Sequence, residues 1–195
     1  MGTIEDRRSI RKFSEQKLPE EVLREILVAG TMAPSPKNRQ PWYFTVLQKG
    51  EKKNRLIQEI RCILEEKIQK NPGRIDVEMS METVDVMDHA PVIVFVGYDY
   101  GQVEIHNDGV DWPMSALDIE AVELQSIGAA VQNMLLKAQD LGIGSLWCAD
   151  ILYAYDWIKR YFQKPVVSAV CLGYRLEEPE RRSRKDLESV CRNWK

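Results

Sequence analysis

Residues 91–98 read Pro-Val-Ile-Val-Phe-Val-Gly-Tyr, and this stretch decides the fold. Its apolar side chains follow one another without polar alternation. A strand with one face in water would alternate apolar and polar residues, so this strand is expected to be covered on both faces. Residues 166–173, Val-Val-Ser-Ala-Val-Cys-Leu-Gly, have the same character. The sequence therefore predicts a sheet with two enclosed central strands.

Helical spacing of apolar residues predicts the layers that enclose this sheet. The longest predicted helix, 118–141, is apolar around more than one face, which is typical of a helix at the centre of a fold or in a subunit interface. Gly142 is expected to end it as a C-cap, and the acid Glu123 near its start suits the helix dipole. The other predicted elements are a short helix from Thr3, helices at 19–32, 51–70, 76–88 and 151–162, strands at 42–47 and 145–148, a loop at 33–41, a linker at 177–185 and an extended tail from Leu187. No linker or repeat divides residues 1–195, which are expected to form a single α+β domain.

Composition excludes several classes of protein. The 195 residues are 44% hydrophobic and 29% charged, with a net charge of −3, which argues against a dedicated nucleic-acid binder. No stretch approaches the roughly 18 apolar residues that cross a bilayer, and the first residues do not resemble a secretory signal, so we expect no membrane partner and a cytoplasmic location. The four cysteines are widely spaced without a CxxC pair and are expected to stay reduced.

No catalytic side-chain motif stands out. The sequence lacks the Ser-His-Asp, HExxH, GxGxxG and GxxxxGK patterns, and its two histidines have no metal-ligand spacing. The acids between residues 99 and 115 do not match a twelve-residue calcium loop. We therefore predict no metal site and no catalytic side chain, and expect any chemistry to come from a bound cofactor.

Three polar segments are candidates for a binding site. The first arginine cluster contains Arg7, Arg8, Ser9 and Arg11. The amide loop, residues 35–40, contributes Ser35, Asn38 and Gln40, whose donors and acceptors suit the polar edge of a heterocycle. The second arginine cluster contains Arg181, Arg182, Arg184 and Lys185. Each segment alone is typical of a solvated surface, and the anion matched by the arginines could be a nucleic-acid backbone, a cofactor phosphate or the protein's own carboxylates.

Four sequence segments, in the same order and spacing, resemble the nitroreductase family. They are RRSIRKF, APSPKNRQPWYF, GAAVQNMLLKAQDLGIGSLW, and LGY followed by RRSRKDLESV, and the likeness extends to the closing Asn193-Trp194. The resemblance implies an α+β fold with a mainly antiparallel central sheet flanked by helices. It also implies a homodimer with FMN at the interface and a C-terminal tail exchanged between subunits. The implied activity is reduction of nitroaromatics, quinones or similar flat acceptors by NAD(P)H in alternating half-reactions.

The same resemblance assigns roles to individual residues. The resemblance implies that the FMN phosphate is held by Arg7, Arg8, Ser9 and Arg11, helped by Arg182 and Arg184. It implies that the flavin is reached from the partner subunit by Ser35, Asn38 and Gln40. It also implies that the segment lying along the flavin ring is Trp147, Cys148 and Ala149. Some family members have Glu-Gly where this chain has Ala149-Asp150, so the contact with N5 of the flavin is expected either to come from a backbone amide or to differ. The alternatives are another redox reaction on the same flavin fold, such as reductive dehalogenation or metabolite oxidation, and a non-enzymatic nucleic-acid or flavin binder.

Overall fold

A computed structural model of the protein describes residues 3–99 and 116–192. In these residues the helices are α1 (Thr3–Asp6), α2 (Glu20–Thr31), α3 (Glu51–Lys70), α4 (Ile75–His89), α5 (Ala116–Asp140), α6 (Tyr155–Phe162) and α7 (Leu187–Val190). The strands are β1 (Trp42–Gln48), β2 (Val92–Tyr98), β3 (Gly144–Cys148) and β4 (Val166–Gly173). Two short 3-10 helices lie at Pro36–Asn38 and Asp150–Ala154.

The four strands form an antiparallel sheet in the order β1-β2-β4-β3. Every residue of β2 is buried, and β4 is buried at all positions but Val167. The prediction that these two strands form the enclosed centre is confirmed, as are the α+β class and the antiparallel sheet. The continuous apolar sequence of β2 follows from this position, because each of its two faces packs against a layer of helices.

Alternate residues of β2 point into two separate hydrophobic cores. Ile93 and Phe95 face the layer built from α3, α4 and α6. Val94 and Val96 face the layer built from α2 and α5. A fully buried side chain of this size contributes about 1.5–3 kcal/mol through removal of apolar surface from water. The two cores together fix the register of the sheet, since a shift by one residue would exchange the faces of every side chain.

The register of β2 against β4 shifts between Val96 and Gly97. A Cβ atom at Gly97 would lie 2.1 Å from the carbonyl oxygen of Pro165 and 2.5 Å from the ring of Tyr43. The neighbouring Tyr98 backbone N–H donates a 3.2 Å hydrogen bond to that same Pro165 oxygen. Glycine is therefore needed at this irregularity because two backbones approach too closely for a side chain.

Several predicted boundaries are wrong in instructive ways. The second helix begins at Glu20, since Pro19 adopts an extended ψ of 145° and serves as the N-cap. The helix predicted at 151–162 is divided at Ala154, whose ψ of 19° departs from helical geometry. The tail predicted as extended forms one helical turn, Leu187–Val190, because both the backbone N–H and the hydroxyl of Ser189 donate to the Asp186 carbonyl.

Two further observations concern expected absences. Within the described ranges, no helix is long and apolar enough to cross a membrane. Of the acids between residues 99 and 115, only Asp99 belongs to those ranges, so the remaining acids of this stretch lie outside the described residues.

Candidate functional site

The first arginine cluster is held against the sheet by a strap of irregular backbone, residues 7–13. The Ile10 N–H donates a 2.9 Å hydrogen bond to the carbonyl of Ser145, and Ser9 forms a parallel bridge with the same residue. Further along, Phe13 bridges to Arg175. Ile10 and Phe13 are buried, so the apolar residues between the arginines anchor the strap. The arginines consequently lie beside the first residues of β3.

The two arginine clusters meet in a single cavity of about 500 Å³. Its walls come from two segments about 170 residues apart in sequence. We call it the arginine cavity; its lining residues are Ile4, Glu5, Arg7, Arg8, Ser9, Arg11, Pro179, Glu180, Arg181, Arg182 and Arg184. The structure thus brings together all six residues that the sequence assigned to phosphate binding.

Positive charge in the arginine cavity is poorly compensated. Among the described residues, none of its guanidinium groups forms an ion pair within 4.0 Å. Arg8 instead donates to the Glu5 carbonyl at 2.6 Å, and Arg184 donates to the Arg182 carbonyl at 3.2 Å. Burial lowers the pKa of Arg7, and the neighbouring charges of Arg184 and Arg8 lower it further. A multiply charged anion would remove this repulsion, and the paired donors of guanidinium match phosphate oxygens.

The amide loop does not belong to the arginine cavity of the same chain. Ser35, Asn38 and Gln40 are absent from the cavity lining, and the side chains of Asn38 and Gln40 are exposed. The Gln40 backbone N–H donates to the Ser35 hydroxyl at 2.9 Å, so this hydroxyl organises the loop. Within one chain, the structure therefore separates the amides from the arginines, and the resemblance had assigned the amides to the flavin of a partner subunit.

The backbone of the amide loop has an uncommon conformation. Lys37, Asn38 and Gln40 have φ values of 52°, 56° and 50°, whereas Arg39 between them has an ordinary right-handed φ of −67°. The left-handed region costs a non-glycine residue about 1–2 kcal/mol, with asparagine tolerating it best. Such a loop persists only where surrounding contacts determine its shape.

One such contact is a buried ion pair that sequence analysis missed. Arg39 Nη2 lies 2.5 Å from Glu123 Oε1 of α5, with side-chain exposures of 26% and 2%. The sequence predicts Glu123 to be an acid near the start of the helix, but α5 begins at Ala116, and Glu123, its eighth residue, is buried in the protein. The available signal was weak, because α5 contains other acids and only the structure shows that Glu123 is buried and needs a cationic partner.

The segment predicted to line a flat ring begins at the end of β3. The side chains of Trp147 and Ala149 are exposed, and Trp147 helps to form a mainly apolar cavity of about 380 Å³ with Leu124 and Gly128 of α5. Cys148 points to the opposite face of the sheet and is buried. Only the backbone of Cys148 is thus available on the side of Trp147 and Ala149.

The thiol of Cys148 contacts a second buried thiol in the core. Its Sγ lies 3.6 Å from the Sγ of Cys171, and the hydrogen bond between them, with burial, raises the pKa of Cys171 well above its ordinary value. All four cysteines are free in the structure. Among residues 3–99 and 116–192, no cluster of His, Cys, Asp or Glu side chains is arranged to hold a metal ion.

A hydrogen bond from α4 fixes the turn that follows this segment. Thr83 Oγ1 donates to Asp150 Oδ2 at 2.7 Å, immediately after Ala149. A second link joins Tyr153 to Asp76, whose pKa is held well below its ordinary value by hydrogen bonds from Arg74 and Tyr153. Sequence analysis missed both links, because neither residue pair is close in sequence. They determine where the chain turns away from the exposed edge of β3.

Comparison with known proteins agrees with this architecture. The model of the nitroreductase family matches residues 4–174. A relative from Methanothermobacter thermautotrophicus, described as a candidate NADH dehydrogenase/NAD(P)H nitroreductase, is 30% identical over 97% of this chain and 84% of its own length.

Two solved structures have closely similar folds. A BluB-like flavoprotein from Clostridium difficile has a TM-score of 0.73 and 28% identity, covering 99% of this chain and 97% of its own. A candidate nitroreductase from Desulfovibrio desulfuricans, solved in complex with FMN, has a TM-score of 0.71 and 24% identity, covering 97% of this chain and 92% of its own. Since the family model spans the strap, the amide loop, the whole sheet and α5, the chain belongs to the nitroreductase family.

Proposed function

We propose that this protein is an FMN-dependent oxidoreductase that uses NAD(P)H to reduce flat electron acceptors such as nitroaromatics or quinones, taking up donor and acceptor in alternation. Family membership carries the coarser statement: the chain is an NAD(P)H-dependent flavin oxidoreductase with FMN as its cofactor. The choice of acceptor and the alternating order are the parts that we add.

The observation that carries the proposal is the arginine cavity. A phosphate monoester has a charge near −2 at neutral pH and several acceptor oxygens. The cavity offers guanidinium groups from two segments, and within the described residues no carboxylate pairs with them. Arg7 in particular has a lowered pKa because of burial and like charges, which an anion would reverse. The residues present therefore fit the phosphate end of FMN.

The remaining site residues fit the other parts of FMN. The arginine cavity borders the start of β3, and Trp147 and Ala149 lie at its end, about 10 Å away at the usual rise of a strand. This span suits a phosphate anchored at one end of β3 and a flat ring at the other. When bound, FMN supplies the two-electron redox chemistry. The arginines would hold its phosphate, and the exposed edge after Trp147 would carry its ring.

We also propose that two copies of the chain complete the site. The amide loop does not line the arginine cavity of its own chain, so Ser35, Asn38 and Gln40 would contact the flavin bound by a partner subunit. The contact between the two subunits would be formed by helix α5 and by the tail from Leu187, and the tail would be exchanged between the subunits. Each copy would act as one domain in the cytoplasm, where free cysteines such as the four found here are stable.

The absorption spectrum of the freshly purified protein tests the proposed flavin chemistry, and the size of the protein in solution tests the proposed pairing of two copies. Bands near roughly 370 and 450 nm, bleached by NADH or NADPH and restored by a quinone, are expected if the cofactor carries the chemistry. Bound flavin that neither nicotinamide reduces would favour a different redox reaction. A colourless protein that gains no thermal stability from FMN and binds DNA with a steep salt dependence would refute the flavin function.

A further inference from the structure

The ion pair between Arg39 and Glu123 has a larger desolvation cost than an ion pair on the surface. Glu123 is 2% exposed, and both Arg39 Nε and Glu123 Oε2 are buried without a hydrogen-bond partner among the described residues. Each charge depends on the other for compensation in a poorly solvated place. Such a pair contributes little to stability compared with an apolar pair of equal volume, so its presence calls for another reason.

The location of Arg39 supplies that reason. It lies between Asn38 and Gln40, the two amides of the amide loop, and both have left-handed backbones. The hydrogen bonds donated by loop residues 38–40, as far as the structure describes them, end on Ser35, Pro36 or Asn38 within the loop. These bonds shape the loop but do not fix it to the rest of the protein. The ion pair between Arg39 and Glu123 does fix it, because Glu123 belongs to the long helix α5.

We propose that the Arg39–Glu123 ion pair is the positioning element that holds the amide loop in the conformation with which Asn38 and Gln40 contact the flavin ring. The inference rests on the proposed function and adds residues that the flavin does not touch. A guanidinium–carboxylate pair has a defined direction, which an apolar contact lacks, and the direction matters because the adjacent amides must present their donors at fixed places.

Three variants separate positioning from stability. Glu123→Gln keeps the shape and removes the charge. The double variant Arg39→Met/Glu123→Leu removes both charges and fills the space with apolar side chains, which usually preserves or increases stability. Lys137→Met is the matched control, because Lys137 is also on α5 and pairs with Glu25 at 2.9 Å without contacting the amide loop.

The measurements are the dissociation constants of FMN and riboflavin, the midpoint potential of bound FMN, amide hydrogen exchange in residues 35–40, and the thermal midpoint. In Glu123→Gln we expect at least about tenfold weaker binding of both flavins by the same factor, since the loop contacts the ring and not the phosphate. Loop exchange should accelerate and the midpoint potential should shift. In the double variant the thermal midpoint should recover while flavin affinity and potential remain altered. Lys137→Met should change none of the flavin properties.

Two results would overturn the positioning role. One is a Glu123→Gln protein that is less stable but binds both flavins with wild-type affinity and potential. The other is a double variant in which stability and all flavin properties recover together, since an apolar contact would then suffice. If the wild-type protein itself bound neither flavin, the proposed function would fail, and this first measurement distinguishes that failure from failure of the ion-pair role.

Discussion

Replacing Arg7 with alanine should weaken FMN binding without weakening the fold. Arg7 lines the arginine cavity, and its pKa is lowered first by burial and then by the charges of Arg184 and Arg8. In the ligand-free protein, its charge is therefore in an unfavourable environment. Its removal relieves repulsion, so the free energy of unfolding should change by no more than about 0.5 kcal/mol, as for most surface substitutions, or should increase.

The loss of FMN affinity can be estimated from the bonds at stake. A hydrogen bond to a charged group contributes about 1.5–3 kcal/mol, and the part-buried position of Arg7 places it near 2 kcal/mol. Each 1.4 kcal/mol corresponds to about a tenfold change, so the FMN dissociation constant should rise by about 30-fold. Riboflavin lacks the phosphate, and its dissociation constant should change by less than about twofold. The same pattern is expected of Arg184→Ala, which alters the opposite wall of the cavity.

Quenching of flavin fluorescence during titration with flavin-free protein measures both constants, and thermal unfolding without ligand measures the fold. Arg55→Ala is the matched control, because Arg55 is exposed on α3 and pairs with Glu51 at 3.1 Å. The reasoning is refuted if Arg7→Ala weakens riboflavin as much as FMN, since Arg7 would not then bind the phosphate. A loss of several kcal/mol in ligand-free stability would equally refute it.

Three further predictions concern the fold. Gly97→Ala should lower the free energy of unfolding by about 3 kcal/mol in denaturant titrations, because its Cβ would overlap the Pro165 carbonyl oxygen. Burial raises the pKa of Tyr43 to about 12. Thermal stability should therefore fall as the pH rises from 10 to 12, because the unfolded chain releases this proton at a lower pH than the folded protein does. Tyr43→Phe should reduce that fall. Lys53 is 1% exposed, and burial lowers its pKa from the ordinary value of 10.5. Thermal stability should therefore rise with pH just below pH 10.5, where the folded protein has released this proton and the unfolded chain still holds it. Lys53→Met should abolish that rise.

The elements that sequence predicts best are those with a strong local pattern. The predicted bounds of α3 and β4 coincide with the observed Glu51–Lys70 and Val166–Gly173. The first element has apolar residues at helical spacing, and the second is a run between Pro165 and Tyr174 that is apolar except for Ser168, so both patterns predict which faces are buried. Gly142 ends α5 with a φ of 72°, as expected of a glycine C-cap. Local patterns therefore determine the elements and, through β2 and β4, the centre of the sheet.

The contacts that build the site are not predicted by local patterns, because they join residues far apart in sequence. The sequence showed two arginine clusters, but no local pattern indicates that Arg7 and Arg184 share a cavity, and only the family resemblance assigned both to one phosphate. The pairing of Arg39 with Glu123, and of Thr83 with Asp150, is likewise set by how helices pack on the sheet. A buried charge can be recognised in sequence as unusual, but its partner is chosen by tertiary structure.

The resemblance implies Glu-Gly in some family members at the position of Ala149-Asp150 in this chain, and the structure gives these two residues different surroundings. If the flavin ring lies after Trp147 as proposed, the side chain of Ala149 has no donor, and that of Cys148 points into the opposite core. Apart from the indole N–H of the exposed Trp147, the segment can therefore offer only backbone groups to a polar ring, and the direction of those groups must be fixed by other residues. Thr83 does so through its 2.7 Å hydrogen bond to Asp150, which holds the carboxylate beside α4 rather than near the proposed ring position. An acidic side chain directed at the proposed ring would oppose the negative charge of a reduced flavin, and the Thr83 contact keeps the Asp150 carboxylate bound to α4 instead.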